Sequence, residues 1–78
     1  MQLAEATRKK IKKLMKENNI SPYQLSKLAG ISLPTLQDFM KGETKNIRTD
    51  TILHICEAFK LTLARFYSDS LFDNVMTE

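Results

Sequence analysis

The chain has 78 residues and a net charge of +3, with 42% hydrophobic and 27% charged residues. That length suffices for one domain, and the composition is that of a folded chain and not a disordered tail. No apolar run is long enough to span a bilayer, and no signal-like apolar stretch follows the basic start, so a cytoplasmic protein is expected. Cys56 is the single cysteine, which excludes an internal disulfide and a cysteine-rich zinc site.

The charge is unevenly placed. All 12 Lys and Arg fall within residues 1–68, and six of them crowd between Arg8 and Lys16. Residues 69–78 hold Asp69, Asp73 and Glu78 with no base. A basic body points to a polyanionic partner, although a solvated lysine-rich helix face gives the same count.

The first helix is expected over about Ala4 to Asn18, with Ile11, Leu14 and Met15 on its apolar face and Asn18-Asn19 as its stop. Ser21-Pro22-Tyr23-Gln24 opens the second. Ser21 caps it, Gln24 completes a capping box, and Pro22 stands at the first helical position, where no N–H is needed. Leu25, Leu28 and Ala29 are its expected buried face, and Gly30 ends it. Ser32 caps the third helix, whose inward residues are Leu36, Phe39 and Met40 and whose stop is Gly42. A polar loop from Glu43 to Arg48 leads to a fourth helix, Thr49 to Phe59, with Ile52, Ile55, Cys56 and Phe59 at core spacing. A fifth begins after Thr62 and carries Leu63, Phe66 and Tyr67. The expectation is an all-α fold of five helices, residues 1–68, followed by an acidic tail, 69–78. In that tail Leu71, Phe72, Val75 and Met76 recur at helical spacing, either as a short sixth helix or as a continuation of the fifth. They are too apolar for a free tail: they form a two-fold dimer contact, or they fold back on their own domain.

Two short helices with a glycine at the corner form a helix-turn-helix signature. The second must cross the third closely, which calls for a small residue near its middle, here Ser26. Leu25, Ile31 and Leu36 then lock the angle. The third helix is left to present Leu33, Pro34, Gln37, Asp38 and Lys41 outward, and a helix of this diameter fits the major groove.

The stretch SPYQLSKLAGISLPTLQDFMKG, Ser21 to Gly42, resembles the helix-turn-helix of the phage-repressor and Cro-like regulators, and the likeness extends over about residues 8–68. The resemblance implies a compact lambda-repressor-like domain that binds specific double-stranded DNA as a homodimer in transcriptional control, reading it with the third helix. Carried over by position, it places the start of the second helix, Ser21 with Pro22 and Tyr23, where the family holds a phosphate. Ser32, Leu33, Pro34, Gln37 and Asp38 fall on base-reading positions and Lys41 on a phosphate-binding one. Lys45, Asn46 and Arg48 match a loop along the backbone or the minor groove.

Against the family that the sequence resembles, several positions depart, Asp38 among them, which can accept from cytosine N4 but repels phosphate and so either specifies or faces away. Pro22 replaces a frequent glutamine, Leu33 and Pro34 replace polar readers and shift the contact toward thymine methyls, and Lys60 stands where the family has a helix-ending glycine. Where many relatives pair a buried arginine with a glutamate, this chain has Met15 and Met40, so both charges are missing together and the two thioethers are expected to meet.

His54 lacks a ligand partner at metal spacing, and Cys56 lies on an apolar stripe as an inert thiol. No nucleophile elbow, phosphate-cradling glycine loop or metal cluster is present, so no catalytic residue, cofactor or metal is expected. Two other functions share these features. One is an antitoxin-type regulator with a toxin or antirepressor partner; the other is a protein-interaction module that kept the fold and lost DNA. Membrane-surface binding by the first helix is disfavoured by its narrow apolar face.

Overall fold

The structure is a computed structural model and describes residues 1–43 and 47–76. Five α-helices follow one another: α1 Leu3–Asn18, α2 Pro22–Ala29, α3 Leu33–Lys41, α4 Thr49–Ala58 and α5 Leu63–Tyr67, with a 3₁₀ turn at Ser70–Phe72. The all-α fold stands as the sequence predicts. α2 packs against both α3 and α4, and α4 against α5. Ile11, Leu25, Leu36, Ile55, Cys56 and Phe66 are the central apolar residues of the core they enclose.

The helix starts are set by side chains. Ser21 Oγ accepts from Gln24 N–H at 3.2 Å while Gln24 Oε1 accepts from Ser21 N–H at 2.9 Å, so the capping box is complete. Ser32 and Thr62 cap α3 and α5 in the same way, accepting from Thr35 N–H and Arg65 N–H.

The helix ends share one device. A left-handed residue follows α1, α2 and α3 (Asn19 at φ 53°, Gly30 at 68°, Gly42 at 84°), and Lys60 at 59° closes the turn after α4. In each case the next N–H reaches back five residues: Ile20 to Met15 O, Ile31 to Ser26 O, Glu43 to Asp38 O and Leu61 to Cys56 O, at 2.8–3.0 Å. These Schellman closures satisfy carbonyls the helix would otherwise strand, and the residue after the corner packs back on the helix. Ile20, Ile31 and Leu61 do so against the core. Lys60 makes the turn without glycine, at a cost on the order of 1 kcal/mol.

One expected core residue is misplaced. Leu28 is 60% exposed, and Ser26 is buried in its stead beside Leu25 and Ala29. Burying Ser26 rotates the inward face of α2 by about one residue, which turns Leu28 out.

The residues after Ser68 fold back on α1. Gln2 and Met76 form an isolated parallel bridge, closed by Leu3 N–H to Met76 O at 2.9 Å and Met76 N–H to Met1 O at 3.1 Å. Phe72 stacks on both Phe66 and Tyr67. Asp69 fixes the turn between them. Its Oδ1 accepts from Leu71 N–H at 3.0 Å, and its Oδ2 accepts from Lys13 at 3.0 Å and Lys10 at 3.2 Å. The Asp69 and Lys10 side chains are only 9% and 11% exposed.

The Leu71 N–H and the two lysines hold the Asp69 carboxyl well below the usual carboxylate range. A carboxylate depressed on folding adds stability above its unfolded pKa of about 3.9, and that stability is lost as pH falls toward its folded value. Lys13, raised by its bond to Asp69, adds stability that is lost as pH rises through its own folded value. Asp69→Asn should therefore lower neutral-pH stability by on the order of 1–3 kcal/mol, by leaving Lys10 without its charge partner. It should also flatten the acid limb of the stability curve below about pH 4, read from urea midpoints across pH. An acid limb as steep as in the parent chain would show that Asp69 is not its source.

Candidate nucleic-acid interface

The corner between α2 and α3 decides where α3 points. Ser26 is 5% exposed, and its hydroxyl donates to Tyr23 O at 2.6 Å, so a small, internally satisfied group is buried on α2 one turn before the corner. Gly30 turns the chain, Ile31 N–H closes on Ser26 O, and Ser32 immediately caps α3. Three residues, Gly30, Ile31 and Ser32, thus take the backbone from one helix to the next with no slack.

Helix α3 is held by Leu36 and Phe39, both 2% exposed, with Met40 half-buried beside them. Its opposite side carries Pro34, Gln37, Asp38 and Lys41, all exposed, and Leu33 is half-buried at its start. Five of the residues expected to face a ligand therefore share one helix. Ser32 is committed locally, since its hydroxyl donates to Thr35 Oγ1 at 2.6 Å while accepting from Thr35 N–H.

The far end of α3 is tied to α1 by a residue that periodicity does not single out. Arg8 Nε donates to Phe39 O at 2.7 Å, and its guanidinium lies 5.0 Å from the centre of the Phe39 ring. A cation at the last turn of a helix complements its dipole and satisfies a terminal carbonyl. Arg8 thereby braces α3 at the end opposite Gly30.

At the start of α2 the capping box consumes the Ser21 and Gln24 amides, and Pro22 has none. Tyr23 N–H is the first-turn donor the box leaves for an anion. The Tyr23 ring is 57% exposed with the Lys27 ammonium 5.3 Å from its centre, so α2 carries a basic aromatic ridge beside α3. Lys27 was legible only as the residue one turn after Tyr23.

Arg48, at the N-cap of α4, pairs with Asp50 at 3.1 Å, and both side chains are largely exposed. Such a pair is worth about 0–1 kcal/mol, so Arg48 can leave it for a phosphate at small cost. Lys45 and Asn46 lie outside the described residues.

A profile of the Cro/C1-type HTH DNA-binding domain matches residues 10–68. The chain belongs to that family. Its partner is accordingly double-stranded DNA, and its role is that of a DNA-binding transcription regulator. No curated protein and no solved structure gives a significant match to the chain. The Cro/C1-type match stops at Ser68, one residue before Asp69, and begins at Lys10, which Asp69 binds. The pieces outside it, residues 1–9 and 69–76, are those that bridge to each other. Among the described residues no group of His, Cys, Asp and Glu could hold a metal, and no helix is long and apolar enough to cross a membrane. His54 is exposed beside Glu57 at 3.4 Å, and burial pushes the Cys56 thiol up.

Ser26 is the small buried residue of α2 whose carbonyl closes the corner. Ser26→Leu should force α2 and α3 apart, destabilise the domain by about 1–3 kcal/mol and weaken DNA binding even where the chain remains folded. Urea titration paired with duplex binding checks both; a variant that binds like the parent would show that the close crossing does not set the pose of α3.

Proposed function

We propose that this Cro/C1-type domain is a sequence-specific repressor that binds as a homodimer, with α3 in the major groove and Gln37 on a base edge. The observation that carries the reading is the division of α3 into a buried side, Leu36 and Phe39, and an exposed side bearing Gln37 and Lys41 one turn apart. The Gln37 amide can bond adenine at N6 and N7 together, worth roughly 1–3 kcal/mol of discrimination. Pro34 and Leu33 suit thymine methyls, and Asp38 accepts from cytosine N4. Lys41, a turn further on, holds a phosphate, as do Tyr23 N–H and Arg48. A domain seated on a promoter blocks other proteins there, which is the basis for repression in place of activation.

The dimer contact is assigned to the outer side of the folded-back tail. Met1, Leu3 and Met76 are 44%, 39% and 61% exposed and are held together by the Gln2–Met76 bridge, with Tyr67 also open to solvent. Half-sites should then lie about one helical turn apart, near 34 Å.

Selection from a random duplex pool, then titrations at several salt concentrations, tests the reading. Gln37→Ala should relax preference at one base pair per half-site and leave the salt dependence nearly intact. Lys41→Ala should weaken all duplexes alike and lower the salt slope by about one for each lysine lost. Met76→Glu should lower the sedimenting mass and the operator affinity without removing Phe72 from its stack. Even losses in both α3 variants with no change of base preference would exclude readout through Gln37. Binding that ignores salt would favour the protein-interaction module, for which Leu33, Pro34 and Asp38 are the contact residues.

A further inference from the structure

Between α3 and the start of α4 lies a partly enclosed hollow of about 130 Å³. Leu36 and Phe39 are its buried lining, and Ile31 and Ile47 stand half-buried around them. Thr35, Arg48 and Thr51 complete it, and Thr35 and Arg48 are exposed, so the polar groups mark its open side. Gln37, Asp38 and Lys41 have no part in it.

An apolar cavity of about 150 Å³ lined by Leu, Ile and Phe takes a benzene ring. The hollow is thus the size of one such ring, or of a branched chain of about six carbons. Its polar groups are suited to an acceptor, since no carboxylate belongs to the lining. Thr35 Oγ1 accepts from Ser32 Oγ at 2.6 Å, which leaves its own O–H to donate. The Arg48 pair with Asp50, 3.1 Å at Nε, is exposed on both sides and therefore weak. A guanidinium carries more N–H donors than that pair uses, so Arg48 can take a second carboxylate or exchange Asp50 for it.

We infer that this hollow binds a small carboxylic acid, with an aromatic or branched body of about six carbons on Leu36, Phe39, Ile31 and Ile47 and the carboxylate on Arg48. The acid regulates DNA binding, because its carboxylate occupies the guanidinium that the start of α4 otherwise offers to a phosphate. That half rests on the phosphate role of Arg48 stated above. The body of the acid also lies at the joint that aims α3: Ile31 closes the corner onto α2, and Leu36 and Phe39 are what hold the helix. By linkage, acid and duplex weaken each other by the same factor.

Benzoate is the probe, with acetate as the charge without the body and benzyl alcohol as the body without the charge. In the full chain, the δ1-methyl resonances of Ile31 and Ile47 should shift saturably with millimolar benzoate, more weakly with benzyl alcohol and not with acetate. Arg48→Gln, at an exposed side chain, should weaken benzoate about tenfold and leave benzyl alcohol unchanged. Thr51→Leu, which enlarges a lining side chain, should abolish both, and Arg65→Ala should change neither. Saturating benzoate should weaken the duplex several-fold beyond equal acetate in the parent, and should not do so in Arg48→Gln. Methyls unmoved by benzoate overturn the site and leave the reading by α3 standing. Benzoate bound no tighter than benzyl alcohol, or equally by the parent and Arg48→Gln, overturns the carboxylate contact. A duplex affinity that benzoate leaves at the acetate level, with Arg48→Gln itself weakening the duplex, overturns the regulation and keeps the phosphate role. An Arg48→Gln chain that binds the duplex like the parent overturns both.

Discussion

The rest of the molecule depends on one left-handed corner, where Gly30 turns the chain and Ile31 N–H closes on Ser26 O. A β-carbon at Gly30 would meet no neighbour, so space is not what requires glycine there. The requirement is conformational: φ of 68° disfavours any L side chain. Because the corner spends only Gly30 and Ile31 before Ser32 caps the next helix, α3 has no freedom to choose its angle on α2. The same atoms that terminate one helix therefore aim the other. Secondary structure and functional geometry are fixed by one hydrogen-bonded turn.

The repeat of this device elsewhere explains how so short a chain encloses a core. Each Schellman closure places the following residue back against its own helix, and at three of the four that residue is Ile or Leu. The connections thus contribute apolar area instead of merely joining elements. In a domain of 78 residues, where buried surface is scarce, this matters more than in a larger one. The Lys60 corner keeps the geometry with a residue that disfavours it, which shows that the closure and the burial of Leu61 outweigh a backbone cost on the order of 1 kcal/mol.

What the sequence makes legible is what local chemistry decides. Ser21-Pro22-Tyr23-Gln24 can only be a helix start, and Gly30 and Gly42 are stops for reasons internal to the residue. The exposure of Gln37, Asp38 and Lys41 follows from periodicity once Leu36 and Phe39 are taken as core. What was not legible depends on distant partners. Leu28 is as apolar as Leu25, yet it faces solvent because Ser26 takes the inward position beside Leu25 and Ala29, and nothing in eight residues of α2 states which rotation wins. Arg8 reads as one more base in a cationic run until α3 brings the Phe39 carbonyl to it. Lys12 comes to share a hollow with Gln37 and Lys41 only when three helices meet around it.

Asp69 supplies the last link between fold and function. Six basic residues on α1 would spread positive potential around the whole helix if all were free, and a duplex could then approach from several sides. One largely buried carboxylate pairs with both Lys10 and Lys13, offsetting one of their two charges, and in doing so pins the tail over that part of α1. Arg8 is turned to the end of α3, and Lys9 stands beside Glu5. Lys12 and Lys16 have no carboxylate partner among the described residues, and Lys12 lines the hollow that α1 shares with Gln37 and Lys41 of α3. Steering of a polyanion acts over about a Debye length, roughly 8–10 Å at physiological salt, which is a helix diameter. Asp69 therefore lowers the positive potential on its side of α1 within that range, and the tail that carries it is a structural clasp and an electrostatic one at once.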